Sequence, residues 1–354
     1  MKFLCLLIFI VAIPLHASVC DVISPQKKFQ PRYAKHFNIS YFKNYKIISV
    51  DQEKYLLANA PVDCIFSEIK IKTPVKNVAM MSTTYLPALV MLNKEKALKA
   101  FQDKKYIVSS AFDLQNIQEL SFKFNPEDLL KLNSDLIMGY TSNLSTPGQM
   151  HIFHTLKIPV VMNKDFEEKT PLARAEWLVF IASFFNEEEK AVDLFKQIEK
   201  DYLLLKQKNQ SLEKAKVLVG DIQAGFWVTC GGESDLAQLI SDAGGALAFS
   251  KSSPSTQYIS LEEIYQNKSS YKIWLPNNMW ESEKEKREAL ARDPRYKFVK
   301  VDQTFNNNLA LNKYKSSDYW ETALQRPDLL LRDLSALFHP EVYKEHKLRW
   351  YRKL

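Results

Sequence analysis

Two histidines, His151 and His154, stand three residues apart on a segment patterned as a helix, which is a spacing that metal ligands use. No third or fourth ligand lies nearby in the sequence, so the same pair also reads as two partly exposed helix residues, and no metal is assigned. Other signatures of catalysis are missing: there is no G-x-S-x-G elbow, no H-E-x-x-H, no C-x-x-C and no phosphate loop ending in Gly-Lys-Ser/Thr. The eight glycines are too scattered for a dinucleotide fingerprint. Triads assemble from distant positions, so missing motifs do not exclude an enzyme, but nothing argues for one. The expectation is a protein without catalytic residues or cofactor.

Loops that follow apolar strand-like runs say more, because ligands of open α/β sheets collect at the carboxyl ends of strands. After VAMM come Ser82, Thr83, Thr84 and Tyr85, and after DLIMG come Tyr140, Thr141 and Ser142. In the second half, GDIQAGFWVTCGGES offers Gln223, Phe226 and Trp227, and WLPNNMW offers Asn278 and Trp280. Hydroxyls and aromatic faces with few charges suit a large, partly apolar solute. For each residue the alternative is a helix cap or a turn. Gly231 and Gly232 read as a tight turn, and Cys230 beside them as a small buried hydrophobe. Arg174 and Glu176 interrupt an apolar helix, so they either pair with groups of the flanking lobes or, for Arg174, answer an anionic group on the solute.

The elements that must position these loops are arranged around residues 170–208. Thr170 as N-cap and Pro171 at the first helical position open a helix that is apolar nearly all round and must therefore be buried nearly all round. Asn186 and three glutamates restart the pattern in a second helix. There Ala191, Leu194, Phe195, Ile198, Tyr202 and Leu205 form one face, expected to cover the second lobe alone. On both sides, short apolar runs alternate with helical segments: VAMM, YIVS, DLIMG and IPVV before, KVLVG, KIWL and FVKVD after. That grammar implies α/β lobes whose parallel sheets are flanked by helices. The divisions expected are residues 1–19 as a signal peptide, 20–75 as a β-rich lead-in, 76–169 as the first lobe, 170–185 as one long linking helix and 186–354 as the second lobe. The final stretch, SSDYWETALQRPDLLLRDLSALFHPE, reads as a helix broken before Pro327, restarted there and stopped by Pro340, covering the second lobe.

At 354 residues the chain can bury two cores. The run FLCLLIFIVAIPL after Met1 and Lys2 fits a signal peptide, so export to the periplasm is expected. Cleavage after Ala17 or lipidation at Cys20 are the two ways the mature end could arise, the second being the lesser. Without lipidation, Cys20 and Cys64 are the pair expected to form a disulfide in an oxidising compartment. The formal net charge of +7 is spread over lysines alternating with acids, with no basic block for nucleic acid. One internal match stands out: NPEDLLKLNSDLIMGY and SLEEIYQNKSSYKIWL each read as a capped helix leading to a buried strand, with Glu127 and Glu262 at equivalent positions.

Together, STTYLPAL, PLARAEWLVFIASFF, DPRYKFVKVDQTFNNN and the C-terminal stretch resemble the periplasmic solute-binding proteins of ABC importers. More narrowly, they look like the rigid-linking-helix class, class III, that takes up ferric siderophores, haem or cobalamin. The likeness runs from about Lys76 to the C-terminus. It implies a monomer that binds a chelated-metal or corrinoid solute between its lobes and hands it to an inner-membrane ABC permease, with Glu127 and Glu262 docking on permease arginines. The family's metal-ion branch uses several histidines at the cleft, a set this sequence lacks, so a chelated or organic solute is favoured over a bare ion. The alternative is an exported sensing or interaction protein with this fold and no permease partner.

Overall fold

The computed structural model describes residues 19–20, 23–66, 69–120, 131–140, 153, 155–267 and 271–354. The expectations for the signal segment 1–18, Glu127, Thr141, Ser142, His151 and His154 lie outside the described residues. The chain first forms a five-stranded sheet in sequence order: β1 (Lys27–Phe29), β2 (Phe37–Tyr41), β3 (Tyr45–Val50), β4 (Glu53–Ala58) and β5 (Ile69–Lys72). Its strands alternate with period two, so Ile39, Ile48, Tyr55 and Leu57 face the main core while Ile47 and Leu56 face the other way. On that outer side a disulfide joins Cys20 to Cys64 beside Phe66, as expected of the unlipidated form.

The first α/β lobe is a five-stranded, all-parallel sheet of β6 (Val78–Met80), β7 (Leu98–Gln102), β8 (Gln118–Leu120), β9 (Leu136–Gly139) and β10 (Val160–Met162), in the order β10-β9-β6-β7-β8. Helix α1 (Leu86–Leu92) connects β6 to β7 and ends at Asn93 in the left-handed conformation. YIVS is not a strand. The strand lies just upstream, where lysines on the flanks disguised it as helix, and Asp103 (φ 58°) turns the chain into a single 3-10 turn at Lys104–Tyr106.

Helix α2 (Pro171–Ser183) is the linking helix. Thr170 Oγ1 accepts from the Ala173 amide at 3.2 Å, and every residue of the helix except Arg174 is buried. Leu172 and Ala175 pack into the core of the second lobe, whereas Trp177 through Ala182 pack into the core of the first, so the helix passes from one lobe into the other. Helix α3 (Glu188–Asn209) does not cover one lobe alone as expected. Ala191 enters the first core and Phe195, Ile198, Tyr202 and Leu205 the second. At 22 residues it is long enough, at 1.5 Å per residue, to span both.

The second lobe holds β11 (Ala215–Val219), β14 (Gly245–Leu247), β16 (Ile273–Leu275), β17 (Gln303–Asn306) and β18 (Arg352–Lys353), in the order β14-β11-β16-β17-β18, parallel except for β18. Helices α4 (Asp235–Asp242), α5 (Leu261–Gln266), α6 (Glu283–Arg292), α7 (Thr322–Gln325) and α8 (Pro327–Phe338) complete it. A small antiparallel sheet of β12 (Asp221–Gln223), β13 (Phe226–Thr229) and β15 (Gln257–Ile259) sits beside the end of β11. Gly220 (φ 98°) makes the bend between them, where any Cβ would lie 1.9 Å from the Val228 carbonyl oxygen. FVKVD, too, is not a strand. Asp293 caps a 3-10 turn at Pro294–Phe298, and pairing begins only at Gln303. No described helix is long and apolar enough to cross a membrane.

Candidate binding cleft

The carboxyl ends of both parallel sheets open on one cavity of about 490 Å³. From the first lobe come Met81, Ser82 and Thr83 after β6, Asp103 and Tyr106 after β7, and Tyr140 after β9. The second lobe supplies Met279 after β16 and residues 314–317 with Trp320 after β17. Phe101 and Gln102, both buried, form part of the floor. Tyr106, Met279, Tyr314 and Trp320 are among the exposed large hydrophobic side chains of the described protein, at 44–54 %. Scattered exposed apolar residues are ordinary, but four converging on one concavity mark a ligand surface. Among the described residues Lys315 is the only basic one of the lining, and it is paired with Glu281 at 2.6 Å.

The loops are held from behind. Asn306 and Asn308, from the FNNN run, both donate their side-chain amides to the Trp280 carbonyl, at 2.8 and 3.0 Å. That anchors the loop carrying Met279. Beneath it Asp221 accepts from the Asn277 amide at 2.6 Å and from the Tyr296 hydroxyl at 3.2 Å. Burial pushes the Asp221 carboxyl up to about 7 against the opposing effect of these donors. At one edge of the cleft the lobes touch directly. Thr83 Oγ1 donates to the Trp320 carbonyl at 2.9 Å, Asn312 Nδ2 to the carbonyls of Lys105 and Ile107 at 2.8 and 2.9 Å, and Ser316 Oγ to that of Lys105 at 3.0 Å. Glu321 accepts from the amides of Val108 at 2.6 Å and Ser109 at 3.1 Å.

Of the residues expected from sequence, Ser82, Thr83 and Tyr140 line the cavity. Thr84 turns back to Ser82, with their hydroxyl oxygens 3.0 Å apart. Tyr85 is buried in the first core and aims its hydroxyl at the Asn163 carbonyl, because it closes a 3-10 turn whose next residue starts α1. Trp227 is fully buried as well, its indole donating to the Val219 carbonyl at 2.8 Å. Its neighbour on the opposite face, Phe226, is exposed and pairs edge-on with Tyr258 at 6.4 Å, with Gln223 opposite it, outside the cavity lining. The alternation of β13 thus splits two aromatics that the sequence places side by side. Trp280 packs on Trp274 at 5.6 Å.

Arg174 is paired rather than poised in the main cleft. Nη1 donates to Asp235 of α4 at 2.7 Å, and Nη2 lies 3.7 Å from Asp165 of the first lobe. Burial works against the guanidinium, but the two carboxylates outweigh it and raise its pKa, so it stays charged. It borders a second, smaller cavity of about 220 Å³ with Cys230, Asp235 and Tyr319. Glu176, between Ala175 of the second core and Trp177 of the first, accepts from the amides of Arg32, Tyr33 and Ala34 at 2.8, 2.8 and 2.9 Å. Residues missed from sequence are Tyr106, Met279, Tyr314 and Trp320. The first follows a strand that was misplaced, and the others sit on loops whose strand-end position only the fold reveals.

Two parallel sheets facing one cavity across a buried helix constrain the kind of protein this is. A family model described as "Periplasmic binding protein" matches residues 79–305. The chain belongs to the periplasmic binding protein family. Its fold is that of the rigid-linking-helix class. A periplasmic haem-binding protein of Pseudomonas aeruginosa superposes with a TM-score of 0.55 at 14 % identity, covering 79 % of this chain and 98 % of that one. A periplasmic vitamin B12-binding protein of Vibrio cholerae superposes with a TM-score of 0.52 at 13 % identity, covering 77 % and 99 %. In sequence, an uncharacterised protein of Methanocaldococcus jannaschii is 26 % identical over 202 residues, which is 54 % of this chain and 55 % of that one, so the match spans about half of that relative. Glu262, at the first turn of α5 behind Ser260, is exposed and accepts from Gln266 at 3.2 Å.

Proposed function

We propose that this periplasmic binding protein is the substrate-binding component of an ABC importer, holding an iron-siderophore, haem or cobalamin-like chelate between its lobes. The observation that carries the reading is the cavity itself: about 490 Å³, at the carboxyl ends of both sheets, walled by aromatic and methionine side chains with a few hydroxyls. Its size falls in the range of about 300–1,000 Å³ usual for small-molecule sites. Ring faces and thioethers give broad dispersion contact to a flat or macrocyclic ligand, and Ser82, Thr83 and Ser316 supply hydrogen bonds that fix its orientation. Among the described residues no guanidinium lines the cavity and the one lysine there is paired, which favours a chelate of low net charge.

Delivery to a membrane permease rests on the pair Glu127 and Glu262, one on each lobe. Docking carboxylates would set association rate and orientation through long-range attraction, so docking should weaken with salt. The test is charge reversal of both glutamates to lysine: uptake of the chelate falls while binding by the purified protein is unchanged. Unchanged uptake removes the docking assignment and leaves an exported binding or sensing protein. Mass spectrometry and absorbance of protein isolated from its native periplasm identify the chelate.

A further inference from the structure

The two loops that line the cleft most prominently are also the loops that join the lobes. Residues 103–109 follow β7 and carry Asp103 and Tyr106 in the lining, while residues 312–321 follow β17 and carry Tyr314, Lys315, Ser316, Ser317 and Trp320. Between them run the bonds from Asn312 and Ser316 to the carbonyls of Lys105 and Ile107, and next in the chain to Trp320 stands Glu321, 1 % exposed. Its two oxygens accept the consecutive amides of Val108 and Ser109, and both accepting bonds cross from one lobe to the other. We propose that Glu321 is a positioning residue for the cleft: a buried clasp by which the second lobe holds the Tyr106 wall of the first, and which governs how readily the lobes part at that edge. This inference needs the cleft but not the identity of its ligand.

The charges around Glu321 are few. Asp318, on its own turn, raises its pKa and is itself tied to the Trp350 indole at 2.7 Å and the Thr322 hydroxyl at 2.7 Å. On the facing loop, Lys104 turns its ammonium onto the carbonyls of Leu114 and Ile117, and the exposed Lys105 lies 3.5 Å from Asp103. Helix α1 has no titratable side chain, Tyr85 of the preceding turn is buried, and Arg174 and Glu176 of α2 are committed to the partners named above. Burial is therefore the first cause of the shift that carries the Glu321 carboxyl up to about 7. A clasped state with the higher pKa is favoured at low pH. Opening, which returns the carboxyl to water, becomes easier as pH rises from the ordinary glutamate range through about 7.

Amide hydrogen exchange on the full chain without ligand tests this. The readout is protection of Val108 and Ser109, corrected for the intrinsic pH dependence of exchange and referred to amides of β3 and β4 in the remote lead-in sheet. In the wild type, protection at 108 and 109 falls relative to that reference between pH 5 and 7.5. Glu321→Gln, a neutral isostere, removes this pH dependence. Glu321→Ala leaves both amides without their acceptor, and exchange there speeds by roughly 10- to 100-fold while the lead-in sheet is unaffected. The proposal is overturned if Glu321→Gln keeps the wild-type pH profile, or if loss of protection in either variant is uniform over the chain.

Discussion

Arg174 lies between Asp165 and Asp235, side chains of which it is the shared counter-ion, and all three are largely withdrawn from water. Truncating it leaves the buried Asp165 and the part-buried Asp235 facing an emptied space, and breaking a buried pair costs about 3–5 kcal/mol. Arg174→Ala is expected to lose that much in urea denaturation, and a loss below about 1 kcal/mol would mean that the carboxylates reach solvent. Glu176 offers a cleaner case, since Glu176→Gln keeps shape and removes charge from a carboxylate bonded to three successive amides. Charge-assisted bonds of this kind are each worth about 1.5–3 kcal/mol, so the substitution should cost at least one such increment in the same assay. Asp221 gives the pH dependence its sign. Its folded pKa of about 7 stands above the ordinary 3.8, so its contribution to stability is complete below about 3.8 and is lost as pH rises through about 7. Melting temperature should therefore fall over that window, and Asp221→Asn should flatten the fall; an unaltered profile in the variant would place the effect elsewhere.

At the scale of elements, the Cys20–Cys64 bridge closes a separation of 44 residues around the lead-in sheet. Loop-closure entropy for that length amounts to about 4 kcal/mol, so Cys64→Ser is expected to destabilise by up to that figure, read as a lower urea midpoint. An unchanged midpoint would mean that the sheet's packing on α2 already constrains this segment. The sequence made much of this level legible. Thr170 and Pro171 announced α2 because a cap and a fixed φ are local properties, and Ser260 with Glu263 three residues on announced α5 for the same reason, the Ser260 hydroxyl accepting from the Glu263 amide at 3.1 Å. Of the strands read in the two lobes, two were misplaced. β7 carries an exposed lysine between lysine-rich flanks that imitate a helix, and β17 begins only after Asp293 and Pro294 have diverted the chain into a turn. The double allegiance of α3 also escaped, because one apolar stripe says that a helix is covered but not by how many partners.

For the whole molecule, the cleft lies where two strand-end surfaces meet across a helix that both cores clasp. Ser82, Thr83 and Tyr140 were readable because they directly follow apolar runs. Trp320, Tyr314 and Met279 were not, since their approach depends on folding the C-terminal 3-10 turn and the β16 loop against the opposite lobe. Trp227 and Tyr85 misled for a related reason: large aromatics beside a strand end look alike in sequence whichever face they occupy. The measurement that bears most directly on the central claim is calorimetric titration of the wild type, and of a Tyr106→Ala, Trp320→Ala double variant, with haemin, ferrichrome and cyanocobalamin. One-to-one binding of at least one of these by the wild type is expected, in the micromolar range or tighter, with at least a tenfold loss in the variant, about 1.4 kcal/mol. Binding that survives unchanged in the variant would place the ligand outside this cleft, and the absence of binding to all three would contradict a chelate as the solute.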